Sequence, residues 1–247
     1  MNTKTYIFIH DQKILLDFLN VDKFKSLDNV TYVFLGSRNT DEIKNKNIII
    51  CRDLSINIEQ YPQLTAFTGW YALWKNNLCN FDYINFFEYD INVARNFTEI
   101  QKLYLDRINK IIGYVQLNVH NNDLFGVKEY SKELFESTHK HYSIDTNSFI
   151  NSLPNMNCSV TSNHTFSIDT FNEYMEWIEP MLDDFKETTM AGHQFERSIP
   201  LFYLLKNIKF KLITNTLYHF QLDSHKTQGI HDMKLKENYS KLLNNTY

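Results

Sequence analysis

Glu88, Asp90 and Asn92 occupy alternate positions at the end of the stretch Phe81 to Val93, FDYINFFEYDINV. Side chains two apart on an extended strand share a face. Three oxygen-bearing side chains would therefore emerge together where the hydrophobic cover stops, an arrangement suited to a hard divalent cation. The run Tyr83 to Phe87 carries too little alternation for a half-exposed strand and predicts a central strand buried on both faces. Acidic groups at the C-terminal end of such a strand stand where open α/β sheets bind ligands.

The flanking elements predict how that end is built. Thr5 to His10 reads as an opening strand, Ile14 to Asn20 as a short helix, Thr31 to Leu35 as a second strand and Lys46 to Ile50 as a third. A long helix is expected ahead of the acidic strand, with Leu64, Phe67, Tyr71, Trp74 and Leu78 as a one-sided apolar stripe and Thr65, Thr68, Gly69 and Lys75 opposite. This order predicts an α/β protein, a mostly parallel central sheet flanked by helices in a single compact domain. Its ligand edge would collect His10, Asp11, Gly36, Arg38 and Asp53.

Farther along, Asn96 to Asn109 reads as helix, Ile111 to Leu117 as strand and Val119 to Phe125 as a loop over the site. Glu129 to Ser137 and Ile168 to Phe185 read as helices, with a short strand within Asn155 to Ser162. Gly192 to Asn207 is helix-like, but Pro200 lacks the donor that would serve residue 196, so a kink or a fresh helix start is expected there. Phe210 to Thr214 reads as a last strand, ahead of a tail carrying His219, His225 and Lys226.

Composition removes several functions. The 247 residues carry a formal charge of −4 and contain no basic block, which gives nucleic-acid binding no electrostatic support. Cys51, Cys79 and Cys158 are far apart and form no CxxC pair, against a disulfide framework or structural zinc. The opening apolar run is too short for a signal peptide or membrane span, so a cytoplasmic protein is expected, with peripheral membrane contact left open. Gly36-Ser37-Arg38-Asn39 lacks the glycine pattern of a dinucleotide or P-loop site, which discards a dehydrogenase and an NTPase.

Taken in order, TYIFIH, LTAFTGWYALWKN, FFEYDINV, GHQFERSIP and YHFQLDSHKTQG resemble the nucleotide-sugar-dependent glycosyltransferases of the GT-A fold, particularly small bacterial and viral polysaccharide-building ones. The resemblance implies a nucleotide-sugar-binding half over 1–95 and an acceptor-binding half with a C-terminal tail over 96–247. It implies a D-x-D motif, present here in degenerate form as Glu88-Tyr89-Asp90 or Asp90-Ile91-Asn92. Asp90, with Asn92 and His219, would hold Mn²⁺ or Mg²⁺. Donor contacts would come from His10, Asp11, Gly36, Arg38, Asp53, Thr68, Lys75, Glu88 and Tyr89, with His225 and Lys226 gripping the diphosphate. The acceptor would be a glycan, a lipid-linked sugar or a protein.

A cation in that role neutralises charge on the departing diphosphate, and Asp90 would anchor it. Glu196 is the expected general base for the acceptor hydroxyl, with Asp184 and Glu187 as alternatives. Plainer roles stand beside each of these. Asp90 also fits a solvated strand-end acid, Glu196 a surface carboxylate paired with a cation, His10 and His219 semi-buried histidines, and Lys75 a helix C-terminal cap. Two other functions remain open on the sequence: a sugar nucleotidyltransferase, and a non-catalytic carbohydrate-binding protein of the same fold.

Overall fold

The centre of the molecule is β4 (Tyr83–Glu88), whose Ile84, Phe86 and Phe87 are wholly buried. In this computed structural model the described residues are 2–36, 40–44, 47–105, 110–114, 128–152, 159, 161–214, 216–219 and 240–243. To one side of β4 run β1 (Thr3–Ile9), β2 (Val30–Phe34) and β3 (Ile48–Ile50), all parallel to it. To the other side lies β7 (His164–Ser167), antiparallel, followed by β6 (Ile111–Gly113) and β8 (Phe210–Leu212). The seven-stranded order is β3-β2-β1-β4-β7-β6-β8. A separate antiparallel ribbon pairs β5 (Ile91–Val93) with β9 (Leu217–His219). The expected α/β architecture, one domain around a mostly parallel sheet, is what the chain forms.

Helices cover both faces. On one lie α1 (Gln12–Val21) and α3 (Phe97–Leu105), against an apolar layer that includes Leu15, Phe18, Phe87 and Phe97. On the other lie α2 (Phe67–Lys75), α6 (Ile168–Ile178) and α8 (Ala191–Leu205), around Trp70, Phe86, Phe171 and Phe202. Further helices among the described residues are α4 (Lys128–Tyr142), α5 (Thr146–Ser152) and the single turn α7 (Leu182–Phe185). Burial on both faces explains why β1, β2 and β4 read as nearly continuous apolar runs.

Several sequence expectations change. The helix expected over Leu64 to Leu78 is shorter, because Thr65 adopts φ +51° and separates a 3-10 turn, Pro62–Leu64, from α2. Its buried face is also different: Thr68, Gly69, Trp70 and Leu73 are buried, while Tyr71 and Trp74 are half-exposed. The helix is wedged between the sheet and α6 and α8, so it needs apolar or small residues almost all round. The helix expected over Ile168 to Phe185 breaks at Pro180 into α6, a 3-10 turn and α7. Pro200, by contrast, sits inside an uninterrupted α8. β6 is shorter than expected, and the loop proposed over Val119 to Phe125 lies outside the described residues, as does most of the Asn155 to Ser162 segment.

Gly69 marks where α2 meets the sheet. A Cβ there would stand 2.6 Å from Phe8 Cε1 and 3.0 Å from Leu35 Cδ2, both in buried side chains. Gly69→Ala gains helix propensity of about 1 kcal/mol, but pushing a buried ring costs about 1–3 kcal/mol. A net loss of up to about 2 kcal/mol is expected in urea unfolding, and a raised midpoint would show that Phe8 yields freely.

Across the sheet a buried polar row replaces apolar packing. Thr5, Asn85 and Thr165 are neighbours in register on β1, β4 and β7. Asn85 Nδ2 donates to Thr5 Oγ1 at 2.9 Å, and Thr165 Oγ1 donates to Asn85 Oδ1 at 2.7 Å. Gln101 of α3 closes the row, its Nε2 within 2.7–2.9 Å of Asn85 Oδ1, Tyr114 Oη and Thr165 Oγ1. Mutual bonding is what makes such burial tolerable.

Candidate active site

Because β1 lies between β2 and β4, the residues following these three strands converge on one edge. His10 follows β1 and places its ring edge-on against Tyr89, with centroids 5.2 Å apart. Asp11 accepts a hydrogen bond from Ile14 N at 3.1 Å and so caps α1, which helps fix the turn leaving β1. Gly36 follows β2 with φ +92° and donates its backbone N–H to Glu59 Oε2. The second oxygen of Glu59 is buried with no hydrogen-bond partner among the described residues. Burial, followed by the charge of Glu59, pushes the nearby Cys51 thiol well above its ordinary range, so it is not a nucleophile at neutral pH.

The acidic segment is not one continuous strand. β4 ends at Glu88, the chain bends through Tyr89 and Asp90, and Ile91 opens the second ribbon. Alternation therefore places Glu88 on the Phe86 face of the sheet, and its backbone N–H is fixed by Asn163 Oδ1 at 2.8 Å. Asp90 is 9% exposed at the bend. Asn92 does not join them. It is 1% exposed, its Oδ1 accepts from Lys23 Nζ, and its Nδ2 donates to Lys241 O at 3.3 Å. Lys23 is itself buried and also donates to Leu242 O, so one ammonium joins the end of α1, β5 and residues 240–243. Burial lowers its pKa to about 7.

Asn92 is thus corrected from metal ligand to structural clamp. The backbone of His219 lies opposite Ile91 in the ribbon, adjoining Asp90 in sequence register. Among the described residues no group of three or more His, Cys, Asp or Glu converges on a common point. Glu88 ends β4 and Asp90 lies in the bend that follows, the two carboxylates nearest the end of the central strand.

Other expected donor contacts are engaged elsewhere. Lys75 lies in the last turn of α2, 2.5 Å from Glu179 Oε1 and 4.2 Å from the Trp74 ring centroid, so it serves the helix end. Thr68 is buried and gives its hydroxyl to Thr65 O at 2.9 Å. Asp53 is exposed, 3.7 Å from Arg52 Nε. Arg38, His225 and Lys226 lie outside the described residues.

Glu196 approaches from α8. It is half-buried, with Oε2 3.1 Å from His193 Nδ1, and lines a cleft with Thr65, Trp70, Ser162 and Tyr174. The cleft encloses about 10 Å³, enough for one water or hydroxyl. Trp70 stacks on Phe86 at 4.6 Å and is a core residue rather than an open platform, but its buried Nε1 has no partner among the described residues. Thr65, a β-branched residue at positive φ, holds the lip of this cleft, and Gly192 leaves room for it. Such strain is maintained where surrounding structure enforces it, often at working sites.

The two alternatives to Glu196 differ sharply. Asp184 is partly desolvated, which opposes ionisation, but bonds from Lys140, Ser137 and His141 override this and hold its carboxyl at about 2. A carboxylate so acidic and so fully engaged is a poor proton acceptor. Glu187 is exposed in a turn.

Residues missed from sequence include Glu59 and Asn163. Glu59 had one signal, as the single charged residue between Ser55 and Ala66. Asn163 had none, because it lies ahead of a four-residue strand with no apolar pattern.

No family model matches the chain, and no curated protein sequence matches it. Among solved structures, it is similar to the apo structure of the bifunctional glycosyltransferase WbbM, with a TM-score of 0.61 and 14% identity. That similarity covers 89% of this chain and 45% of the other, so the chain spans less than half of the larger protein. At this identity the likeness is one of fold.

Proposed function

We propose that the protein is a glycosyltransferase of GT-A type, moving a sugar from a nucleotide-diphosphate donor to a hydroxyl of a glycan, lipid-linked or protein acceptor. The observation that carries this reading is the position of Glu88 and Asp90, at and just past the end of the central strand, beside the ends of the parallel strands β1 and β2. The glycosyltransferase fold supports it. Residues 1–95 form the donor half in this reading and 96–247 the acceptor half.

The acceptor oxygen attacks the anomeric carbon, the bond from that carbon to the diphosphate breaks, and the electron pair leaves with the diphosphate. Glu196 takes the proton of the attacking hydroxyl, and His193 orients its carboxylate. His10 and Tyr89 form an apolar wall beside the donor, while the bend at Asp90 directs a carboxylate at the diphosphate. A divalent cation, Mn²⁺ or Mg²⁺, would be held by Asp90 with Glu88 and would supply neutralisation of the leaving group.

The test is thermal unfolding with a panel of nucleoside diphosphates and their sugars, with and without Mn²⁺ or Mg²⁺. A donor at ~100 times its Kd stabilises by about 2.7 kcal/mol, a rise of about 5–10 °C for a chain of this size. Asp90→Ala is expected to lose that rise while unfolding cooperatively on its own. A folded wild-type protein indifferent to every donor and both metals would end the proposal.

One observation favours a second reading, sugar binding without catalysis: the withdrawal of Asn92 into its bond with Lys23 thins the cation site. Sugar binding unaffected by nucleotide, metal and Asp90→Ala would favour it.

A further inference from the structure

We propose that a second, neutral carbohydrate-binding site lies at the opposite end of the sheet, in a cavity of about 180 Å³ where β1 and β4 begin. A single water needs only ~10–15 Å³, so this space takes a larger guest. Asn85, at its floor, is three residues and thus about 10 Å down the strand from Glu88. The site is therefore separate from the catalytic edge and rests on the glycosyltransferase reading only for its biological use.

The floor is preorganised. Thr5, Asn85 and Gln101 are 1%, 2% and 4% exposed, and the buried polar row holds them in place. Their bonding is incomplete in a useful way. Gln101 bonds to the row through Nε2, which leaves its side-chain carbonyl as an acceptor. Thr5 Oγ1 accepts from Asn85, which leaves its hydrogen to donate. Paired donors and acceptors on rigid amides and hydroxyls match the hydroxyls of a sugar ring, each of which both donates and accepts.

The rim excludes other ligand classes. Its two charges, Asp28 and Lys102, lie 3.7 Å apart and cancel, so neither an anion nor a cation is favoured. A lone carboxylate is too few for a metal centre. Among the described residues of the lining, Leu27 is the one aliphatic side chain, which gives a lipid tail little purchase. The remaining wall is Asn2, Thr3, Asn29 and Thr98, all uncharged and polar. In an enzyme that extends glycans, such a site would hold a part of the acceptor remote from the reacting end.

The experiment is two-dimensional amide NMR of the full chain, titrated without nucleotide with glucose, galactose, mannose or N-acetylglucosamine, and separately with inorganic phosphate. At least one sugar is expected to shift the amides of Thr5, Asn85 and Gln101. Thr98→Trp, which fills the cavity from a half-exposed position outside the buried row, is expected to weaken that response about tenfold or more, equal to ~1.4 kcal/mol. It should leave donor-induced thermal stabilisation unchanged, which separates failure here from failure of the catalytic reading. Shifts confined to the Glu88 and Glu196 region, a sugar response untouched by Thr98→Trp, a response to phosphate alone, or no response to any sugar would each overturn the proposal.

Discussion

Glu196→Gln is expected to lower the rate of sugar transfer by about 10²–10⁴-fold, the usual contribution of a positioned base, while donor-induced thermal stabilisation stays at its wild-type value. The substitution keeps shape and a partner for His193, so α8 should be undisturbed. If Glu196 instead serves only as a helix-surface carboxylate, its loss alters neither kcat nor KM. The split between parameters also discriminates. A base acts only in the transition state, so kcat and kcat/KM should fall together. A fall in donor affinity with kcat intact would reassign Glu196 to binding. Slow donor hydrolysis should persist in the variant, because water needs less positioning than a sugar hydroxyl and the leaving-group machinery at Asp90 remains.

A steep loss of stability is expected as pH falls below about 6.5, and His164 is its cause. The residue is fully buried on β7, where a contact with the backbone of Thr161 only partly offsets the cost of charging its ring. Burial is the dominant influence and holds its pKa at about 3, against about 6.5 in the unfolded chain. Between those values the unfolded chain takes up a proton that the native imidazole refuses. Stability is therefore present above pH 6.5 and lost as pH falls toward 3, by about 1.4 kcal/mol per unit at full effect. By pH 4 the loss attributable to this group is about 3 kcal/mol, a large share of the 5–15 kcal/mol typical of a domain. Urea unfolding of wild type and His164→Phe across this range is the check. The variant curve should be flatter by that amount, whereas parallel curves would mean that His164 finds a proton acceptor in the native fold. Carboxylates such as Asp184 titrate in both proteins and cancel in the difference.

What could be read from sequence follows a physical line. β1, β2 and β4 declared themselves because a strand buried on both faces must be apolar throughout, and Asp11 could be placed at the end of β1 because the apolar run stops ahead of it. β7 escaped notice. Its His164 and Thr165 are polar yet wholly buried; Thr165 is admitted by Gln101 and Tyr114 from elsewhere in the chain, and no local pattern encodes a partner 51–64 residues away. The face of α2 was misjudged for a related reason: a helix gripped from several sides has no solvent stripe to betray its orientation. At the candidate site, Asp90 falls in the bend just past the central strand, and period-two reasoning carried through that bend too far. It put Asn92 beside Asp90, while the turn at Tyr89 sends Asn92 into the interior toward Lys23. Glu196 lines a cleft because α8 lies over the lip at Thr65, a long-range packing fact without local trace.

The ammonium of Lys23 gathers a helix end near residue 23, a ribbon at residue 92 and a carbonyl at residue 242. During synthesis a chain emerges from its N-terminus at about 5–20 residues per second, so this knot stays untied until residue 242 has cleared the ribosome. The stretch beside Asp90 therefore acquires this support long after β1–β4 have emerged, and a nascent chain holding a complete β1–β4 core would still lack it.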